Sequence, residues 1–145
     1  MTSSDRKQTE AFRETVLIVD DAMDMRVFLG ALFKTNGYAV EACRDGAAGL
    51  AKAHEIHPAL IVLDVMMPGT GGSLMYKQLK TDPDLASIPV IMLSAVGQRS
   101  FQHYLKMLKV KTGIPLPDPD AYIEKPPDAK QLLEMATRLI DSQKR

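Results

Sequence analysis

The sequence predicts an α/β fold in which five short parallel strands form one doubly wound sheet, a (βα)5 arrangement. Strand and helix patterns alternate along the chain, and the strand segments are continuous apolar runs, as expected of parallel strands covered on both faces. Right-handed crossovers between such strands place helices on both sides of the sheet. Polar residues follow four of the apolar runs, and they should therefore lie at one edge of the sheet: Asp20, Asp21, Asp64, Ser94 and Lys125.

The composition is that of an ordinary globular domain. The chain has 145 residues, of which 46% are hydrophobic and 25% charged, enough for one domain with a substantial core. Lys and Arg number 18, as do Asp and Glu, so charge gives no reason to expect direct binding to nucleic acid or to an anionic membrane. The single cysteine, Cys43, rules out an internal disulfide and favours a cytoplasmic location. No apolar run approaches the roughly 20 residues of a membrane span.

The first half of the chain carries the signals for two strand–helix pairs. An apolar strand over residues 15–19 precedes the acidic pair, and a helix with apolar residues at helical spacing follows until Asn36 and Gly37 end it. A second strand is expected at residues 38–42, and Asp45 can cap a helix that runs to about His54. The apolar face of this second helix is predicted to hold Ala47, Leu50, Ala51 and His54.

Three further strand–helix pairs follow in the second half. The third strand ends at Asp64 and leads through a glycine-rich turn into a helix over about 73–80, and the fourth ends at Ser94 before a helix over about 98–109. Three prolines mark residues 113–120 as a loop. A short fifth strand then precedes a helix capped by Asp128. We expect residues 1–13 to be a flexible lead-in and residues 14–143 to form a single domain.

The polar residues at the strand ends suggest phosphoryl chemistry. Taken singly, an Asp after a strand is often a turn former, Ser94 an ordinary turn residue and Lys125 a surface charge. Together they bring acids, a hydroxyl and a cation to one edge. Asp64 would be the nucleophile toward a phosphoryl group, and Asp21 with Asp64 would hold a hard divalent cation such as Mg²⁺. Ser94 would hydrogen-bond a phosphoryl oxygen, and Lys125 would supply positive charge.

Several motifs give the chain a specific resemblance to a known family. Those motifs are Val19-Asp20-Asp21, Leu63-Asp64-Val65-Met66-Met67-Pro68-Gly69, Gly72, Met92-Leu93-Ser94-Ala95 and Tyr122-Ile123-Glu124-Lys125-Pro126. In their order and placement the chain resembles the response-regulator receiver domain of two-component signalling, with its CheY-like, flavodoxin-type fold, over about residues 15–140. The resemblance implies that Asp64 accepts a phosphoryl group from a sensor histidine kinase or a histidine phosphotransfer protein.

The resemblance also implies how Mg²⁺ would be held. Asp21 and Asp64 would bind the ion directly, Met66 would contribute its backbone carbonyl, and Asp20 would act through a metal-bound water. Phosphorylation would then switch a protein-interaction face for a downstream protein that the sequence does not identify, either in the monomer or in a phosphorylation-dependent dimer.

Ser94 and Tyr122 would form the switch pair of such a receiver: the hydroxyl moves toward the phosphoryl group and the aromatic ring turns inward. Lys125-Pro126 resembles the family's cis peptide bond, which proline makes accessible at modest cost. No output domain fits in the few residues after Ile140, which favours a stand-alone receiver, with a receiver excised from a larger protein as the alternative.

Two departures from the family pattern stand out. The segment before the fifth strand, about residues 109–120, is lengthened and would be either a surface loop or a modified partner surface. The side chains two residues beyond Asp64 and Ser94 are apolar, Met66 and Val96, and by resemblance they flank the path of the hydrolytic water. Because neither can hydrogen-bond that water strongly, slow self-dephosphorylation is expected.

Two other functions fit parts of the pattern. A Mg²⁺-dependent aspartyl-phosphate phosphohydrolase also uses an Asp nucleophile, but such enzymes typically place a second Asp two residues further on, where this chain has Met66. A receiver-like binding module that is never phosphorylated would be expected if the segment 109–120 blocked access to Asp64.

Overall fold

The sheet has the predicted parallel topology. A computed structural model describes residues 13–65, 72–113 and 116–143. Its strands are β1 (Thr15–Val19), β2 (Ala39–Cys43), β3 (Leu60–Asp64), β4 (Val90–Ser94) and β5 (Ala121–Glu124). They form one parallel sheet in the order β2-β1-β3-β4-β5. The predicted fold class is confirmed, with β2 one residue later than expected, and the predicted lead-in lies outside the described residues except for Arg13.

Five helices cover the two faces of the sheet. They are α1 (Met23–Thr35), α2 (Gly46–Ile56), α3 (Gly72–Thr81), α4 (Gln98–Thr112) and α5 (Ala129–Ser142). Alternate residues of β1 point to opposite faces: Val16 and Ile18 pack with α1 and α5, whereas Leu17 and Val19 pack with the other three helices. Within the described residues, none of the helices combines the length and apolar content that crossing a bilayer requires.

Residues predicted from the sequence to begin or end helices do so in α1, α2 and α5. The Asp45 carboxylate accepts a hydrogen bond from the backbone N–H of Ala48 at 2.8 Å, and Asp128 accepts one from Gln131 at 2.9 Å. Each cap satisfies an N–H that the first helical turn leaves unpaired. Gly37 follows α1 with φ 93°, a backbone conformation that glycine adopts without steric cost.

The prediction of which residues of α2 are buried is largely wrong. Gly46, Gly49 and Ala53 are the buried residues of this helix, and Leu50 is half-buried. The other predicted members are exposed: Ala47, Ala51 and His54. The physical reason is close packing on the sheet, because a Cβ added to Gly49 would lie 2.7 Å from Val19 Cγ2. Glycine carries no apolar side chain, so an apolar pattern does not reveal a face built from it.

The lengthened segment is anchored to the core. Helix α4 continues beyond the predicted end at Lys109 to Thr112, and Leu116 is buried. The hydroxyl of Tyr76 in α3 donates to the backbone carbonyl of Pro117 at 2.7 Å. The carboxylate of Asp120 accepts a hydrogen bond at 2.8 Å from the backbone N–H of Val90, the first residue of β4. The described part of this segment is therefore packed against the amino end of β4, rather than being a loose surface loop.

We expect Tyr76→Phe to lower the free energy of unfolding by about 1 kcal/mol, the net contribution of a typical hydrogen bond. Burial, with Asp120 and Asp118 nearby, raises the pKa of Tyr76, so the hydroxyl remains a donor at neutral pH. Urea unfolding followed by circular dichroism measures the change. Tyr38→Phe is the matched control, because its hydroxyl makes a longer contact of 3.3 Å with Thr137 on the other face of the sheet. An equal loss in both variants would contradict the proposed anchor.

Candidate functional site

Neighbouring strands bring the predicted polar residues to one edge. Val19 pairs with Leu63, so Asp20 leaves β1 beside Asp64, the last residue of β3. Ser94 ends β4 opposite Glu124 of β5, and Lys125 follows directly. The backbone N–H of Lys125 donates to the carbonyl of Ser94 at 2.8 Å, which extends the β4–β5 pairing by one residue. The structure therefore places the polar residues at the ends of four strands along the same carboxyl edge of the sheet.

Three carboxylates converge at this edge of the sheet. Asp20, Asp21 and Asp64 each offer an oxygen, and these oxygens all lie within 4.8 Å of one another. Asp20 is 1% exposed and Asp64 5%, whereas Asp21 lies at the exposed rim. Like charges this close are costly to bury unless a cation or a proton offsets them.

Lys125 supplies one positive charge to the cluster. Its Nζ lies 2.9 Å from Asp20 Oδ2 and 3.2 Å from Asp64 Oδ2. Burial opposes the charged form of Lys125, but hydrogen bonds and attraction from the two carboxylates outweigh it, and its pKa is raised. The lysine is therefore fully protonated at neutral pH. The peptide bond between Lys125 and Pro126 is cis, as predicted.

The cluster has the donor chemistry of a divalent-cation site. Apart from its ion pair with Lys125, Oδ2 of Asp20 is buried without a hydrogen bond to any described residue. Among the described residues the Asp21 carboxylate forms no hydrogen bond or ion pair, so it is available to a ligand. Carboxylate oxygens suit hard ions such as Mg²⁺. Met66, whose carbonyl was expected to contribute, lies outside the described residues.

The predicted switch pair is joined through Val96. Ser94 is fully buried, and its Oγ accepts a hydrogen bond at 3.2 Å from the backbone N–H of Val96. The Tyr122 hydroxyl donates to the carbonyl of the same residue. Burial raises the pKa of Tyr122, and a side-chain hydrogen bond with Ser94 offsets part of that shift. The Tyr122 hydroxyl is thus directed at the turn that carries Ser94.

The sequence did not predict two contacts at the site. Phe101 of α4 stacks on Tyr122 with ring centroids 4.3 Å apart and planes inclined by 14°. Arg26 of α1 donates from Nη1 to the backbone carbonyl of Asp20 at 2.8 Å. An apolar pattern locates Phe101 but not its partner, and an arginine in the second turn of a helix carries no signal of its own.

Gly72 fixes where α3 begins relative to the acidic cluster. A Cβ added to this residue would lie 2.0 Å from the carbonyl oxygen of Asp64 and 2.8 Å from Val65 Cα. Both atoms belong to the backbone, so the clash cannot be relieved by rotating a side chain. Glycine is therefore required for α3 to pack against the end of β3.

The comparison with known families decides what kind of domain this is. Residues 16–137 match the family model described as "Response regulator receiver domain". The chain belongs to this family. Its acidic cluster lies where receivers are phosphorylated, which is consistent with a phosphoacceptor role in signalling. Receivers of this family pair with histidine kinases or histidine phosphotransfer proteins.

Curated relatives of the receiver include longer regulators. The chain is 32% identical over 125 residues to the DNA-binding dual master transcriptional regulator RpaA of Synechocystis, covering 86% of this chain and 48% of that protein. It is 35% identical over 120 residues to the probable transcriptional regulator ycf27 of Galdieria sulphuraria, covering 83% and 42%. The chain thus spans about half the length, or less, of these relatives.

Solved structures agree on the fold. The signal receiver domain of a histidine kinase from Syntrophus aciditrophicus superposes with a TM-score of 0.77 at 29% identity, covering 91% of this chain and 93% of that one. The chemotaxis response regulator CheY4 of Vibrio cholerae gives a TM-score of 0.74 at 25% identity, covering 88% and 98%. The chain is therefore similar to these receivers along most of its length.

We expect Gly72→Ala to destabilise the receiver by about 3 kcal/mol, because the added methyl overpacks against backbone that has no room to move. Thermal unfolding followed by circular dichroism measures the loss. Gly30→Ala in α1 is the control: its added Cβ would have Val40 Cγ1 as nearest neighbour at 4.0 Å, an ordinary contact. Alanine also favours helix over glycine, so the control should keep or gain stability. Equal stability of the two variants would contradict the packing argument.

Proposed function

We propose that Asp64 is the phosphoacceptor of this receiver and takes its phosphoryl group from a phosphohistidine of a sensor histidine kinase or a histidine phosphotransfer protein. A carboxylate oxygen of Asp64 would form the new P–O bond while the P–N bond to histidine breaks, and the electron pair of that bond stays on the imidazole nitrogen. The observation that carries the proposal is the position of Asp64, at the end of β3, beside the two acidic residues that follow β1 and 3.2 Å from Lys125 Nζ.

Asp21 and Asp64 would hold Mg²⁺ directly, with the backbone carbonyl of Met66 as a further ligand and Asp20 acting through a water. When bound, a divalent cation offsets the negative charge of the carboxylates and of the phosphoryl oxygens. The convergence of three carboxylate oxygens supports this assignment. Lys125 would add a fixed positive charge beside the transferred group.

Ser94 and Tyr122 would carry the signal away from Asp64. To donate to a phosphoryl oxygen, the Ser94 hydroxyl has to turn toward Asp64, which changes the bond that it accepts from Val96 N–H. The backbone carbonyl of Val96 accepts the hydrogen bond of the Tyr122 hydroxyl, and the Tyr122 ring stacks on Phe101 of α4. A change in the hydrogen bonding of Ser94 would therefore alter the position of Tyr122 and Phe101 at the surface formed by α4 and β5. A downstream protein would bind to this surface.

We assign the receiver to residues 14–143. Its output would be a contact with another protein, without direct binding to nucleic acid or membrane. The cytoplasmic location remains a prediction from the single cysteine. Whether the active form is a monomer or a phosphorylation-dependent dimer can be measured by light scattering with and without a phosphoryl analogue.

The main test is incubation with a small acyl phosphate and Mg²⁺, followed by intact-mass measurement. We expect one added phosphoryl group in the wild type and none in Asp64→Asn, because the amide is a poor nucleophile. Asp84→Asn, at an exposed position in the loop before β4, is the control and should be phosphorylated like the wild type. Persistence of the added mass in Asp64→Asn would contradict the assignment, as would no addition to a wild type shown to bind Mg²⁺.

The phosphoryl group on Asp64 is expected to be long-lived. The Val96 side chain is apolar and packs against the core. Together with the apolar Met66, it offers the hydrolytic water no side-chain hydrogen bond.

We therefore predict that a double Met66→Asn, Val96→Asn variant loses its phosphoryl group about tenfold faster, the effect of one new hydrogen bond of about 1.4 kcal/mol to the attacking water. Loss of the phosphoryl mass after removal of the donor gives the rate. Rapid loss from the wild type that polar substitution leaves unchanged would be evidence against this explanation.

The two alternative functions are less well supported. A phosphohydrolase needs an acid–base group where this chain has Met66, and turnover of a small phosphomonoester that is lost in Asp64→Asn would be its signature. A module closed to phosphorylation would need the lengthened segment to cover Asp64. The described residues of that segment contact the amino end of β4, whereas Asp64 lies at the carboxyl end of β3.

A further inference from the structure

The corner between β1 and α1 carries two of the three carboxylates of the acidic cluster. Helix α1 begins after Ala22, which provides no side-chain cap. Instead, the carboxylate Oδ1 of Asp20 accepts a hydrogen bond from the Ala22 N–H at 2.9 Å, a local turn that reverses the chain. Asp21 lies between these two residues, so its position depends on how firmly this turn is held.

Asp21 is held by its backbone rather than by side-chain contacts. Among the described residues its carboxylate has no hydrogen bond or ion pair, and it lies at the exposed rim of the cluster. Asp20, in contrast, is fixed by Lys125 and by the Ala22 N–H. If this corner were loosely held, the exposed carboxylate would sample many positions. The conformational entropy lost when a cation fixed it in one position would then lower the affinity for that cation.

Arg26 reaches back across this corner. Its backbone N–H donates to the Ala22 carbonyl at 3.1 Å, and its side chain donates from Nη1 to the Asp20 carbonyl at 2.8 Å. That carbonyl belongs to the peptide unit joining Asp20 to Asp21. A charged donor on a carbonyl forms a strong hydrogen bond, so the guanidinium fixes the plane from which Asp21 projects.

The charge of Arg26 is not paired with the carboxylates. Within the described part of the chain Arg26 forms no ion pair, and its only side-chain bond is to a backbone carbonyl. Considered as a charge alone, a guanidinium beside the cluster would repel an incoming cation. The hydrogen bond and the charge therefore have opposite effects on cation binding, which allows an experiment to separate them.

We infer that Arg26 is a positioning residue for the cation site, which fixes the Asp20–Asp21 peptide and thereby preorganises the Asp21 carboxylate. The inference rests on the proposed function in one respect: it takes the acidic cluster to bind Mg²⁺. Removing an outer partner of a metal ligand typically costs about 10- to 100-fold in affinity. Because the lost charge acts in the other direction, we expect the lower end of that range.

The test is the affinity of the full chain for Mg²⁺, measured by calorimetry in wild type and in Arg26→Met, which keeps an unbranched stem but removes the donor and the charge. We expect about tenfold weaker binding in Arg26→Met. Arg26→Lys keeps a charged donor and should show an intermediate affinity. Lys34→Met removes the same charge from the last turn of α1, about 12 Å further along the helix, and should bind at least as tightly as wild type.

Backbone amide shifts of Asp21 and Ala22 without metal provide a second measurement. They should move in Arg26→Met and stay unchanged in Lys34→Met. Unchanged or tighter Mg²⁺ binding by folded Arg26→Met would overturn the inference, as would an equal loss in Lys34→Met. Should Arg26→Met fail to fold, wild-type affinity and unmoved amides in Arg26→Lys would overturn it. A wild type that does not bind Mg²⁺ would instead contradict the proposed function.

Discussion

The ammonium group of Lys125, placed between the carboxylates of Asp20 and Asp64, is the interaction on which the organisation of the site depends. Its two ion-pair distances, 2.9 and 3.2 Å, join the end of β5 to the ends of β1 and β3. Adjacent strands lie about 4.8 Å apart, so this long side chain spans the width of β4. One positive charge against three carboxylates leaves an excess of negative charge, which favours the binding of a cation.

Two different parts of the structure hold α4, one near each end. Near its beginning, Phe101 stacks on Tyr122, whose hydroxyl is bonded to the turn after Ser94. Beyond its end, the anchored segment returns to the core, where Pro117 accepts a hydrogen bond from Tyr76 of α3. A change at the phosphoacceptor site would therefore act on the first turns of α4, because the far end is tied to a different helix and to the amino end of β4.

The sequence was a good guide to the polar residues at the strand ends and a poor guide to close packing. Asp20, Asp64, Ser94 and Lys125 follow apolar runs, and the topology of a parallel sheet brings such residues together without further information. The buried face of α2 was misassigned because it includes Gly46 and Gly49, which have no apolar side chain, and Gly49 lets the helix approach Val19 of β1. The anchoring of Pro117 also escaped prediction, since prolines and glycine indicate a loop but not what that loop contacts.

The sequence by itself determined the order of the elements, the helix caps at Asp45 and Asp128, and the set of polar residues at one edge, because these depend on local periodicity and on the geometry of parallel strands. Tertiary structure alone decided the contacts between residues distant in the chain, such as the Phe101–Tyr122 stack, and the fold-back of Arg26 onto the Asp20 carbonyl. The physical reason is that such contacts depend on side-chain direction and on the separation of packed elements, which a one-dimensional pattern does not encode.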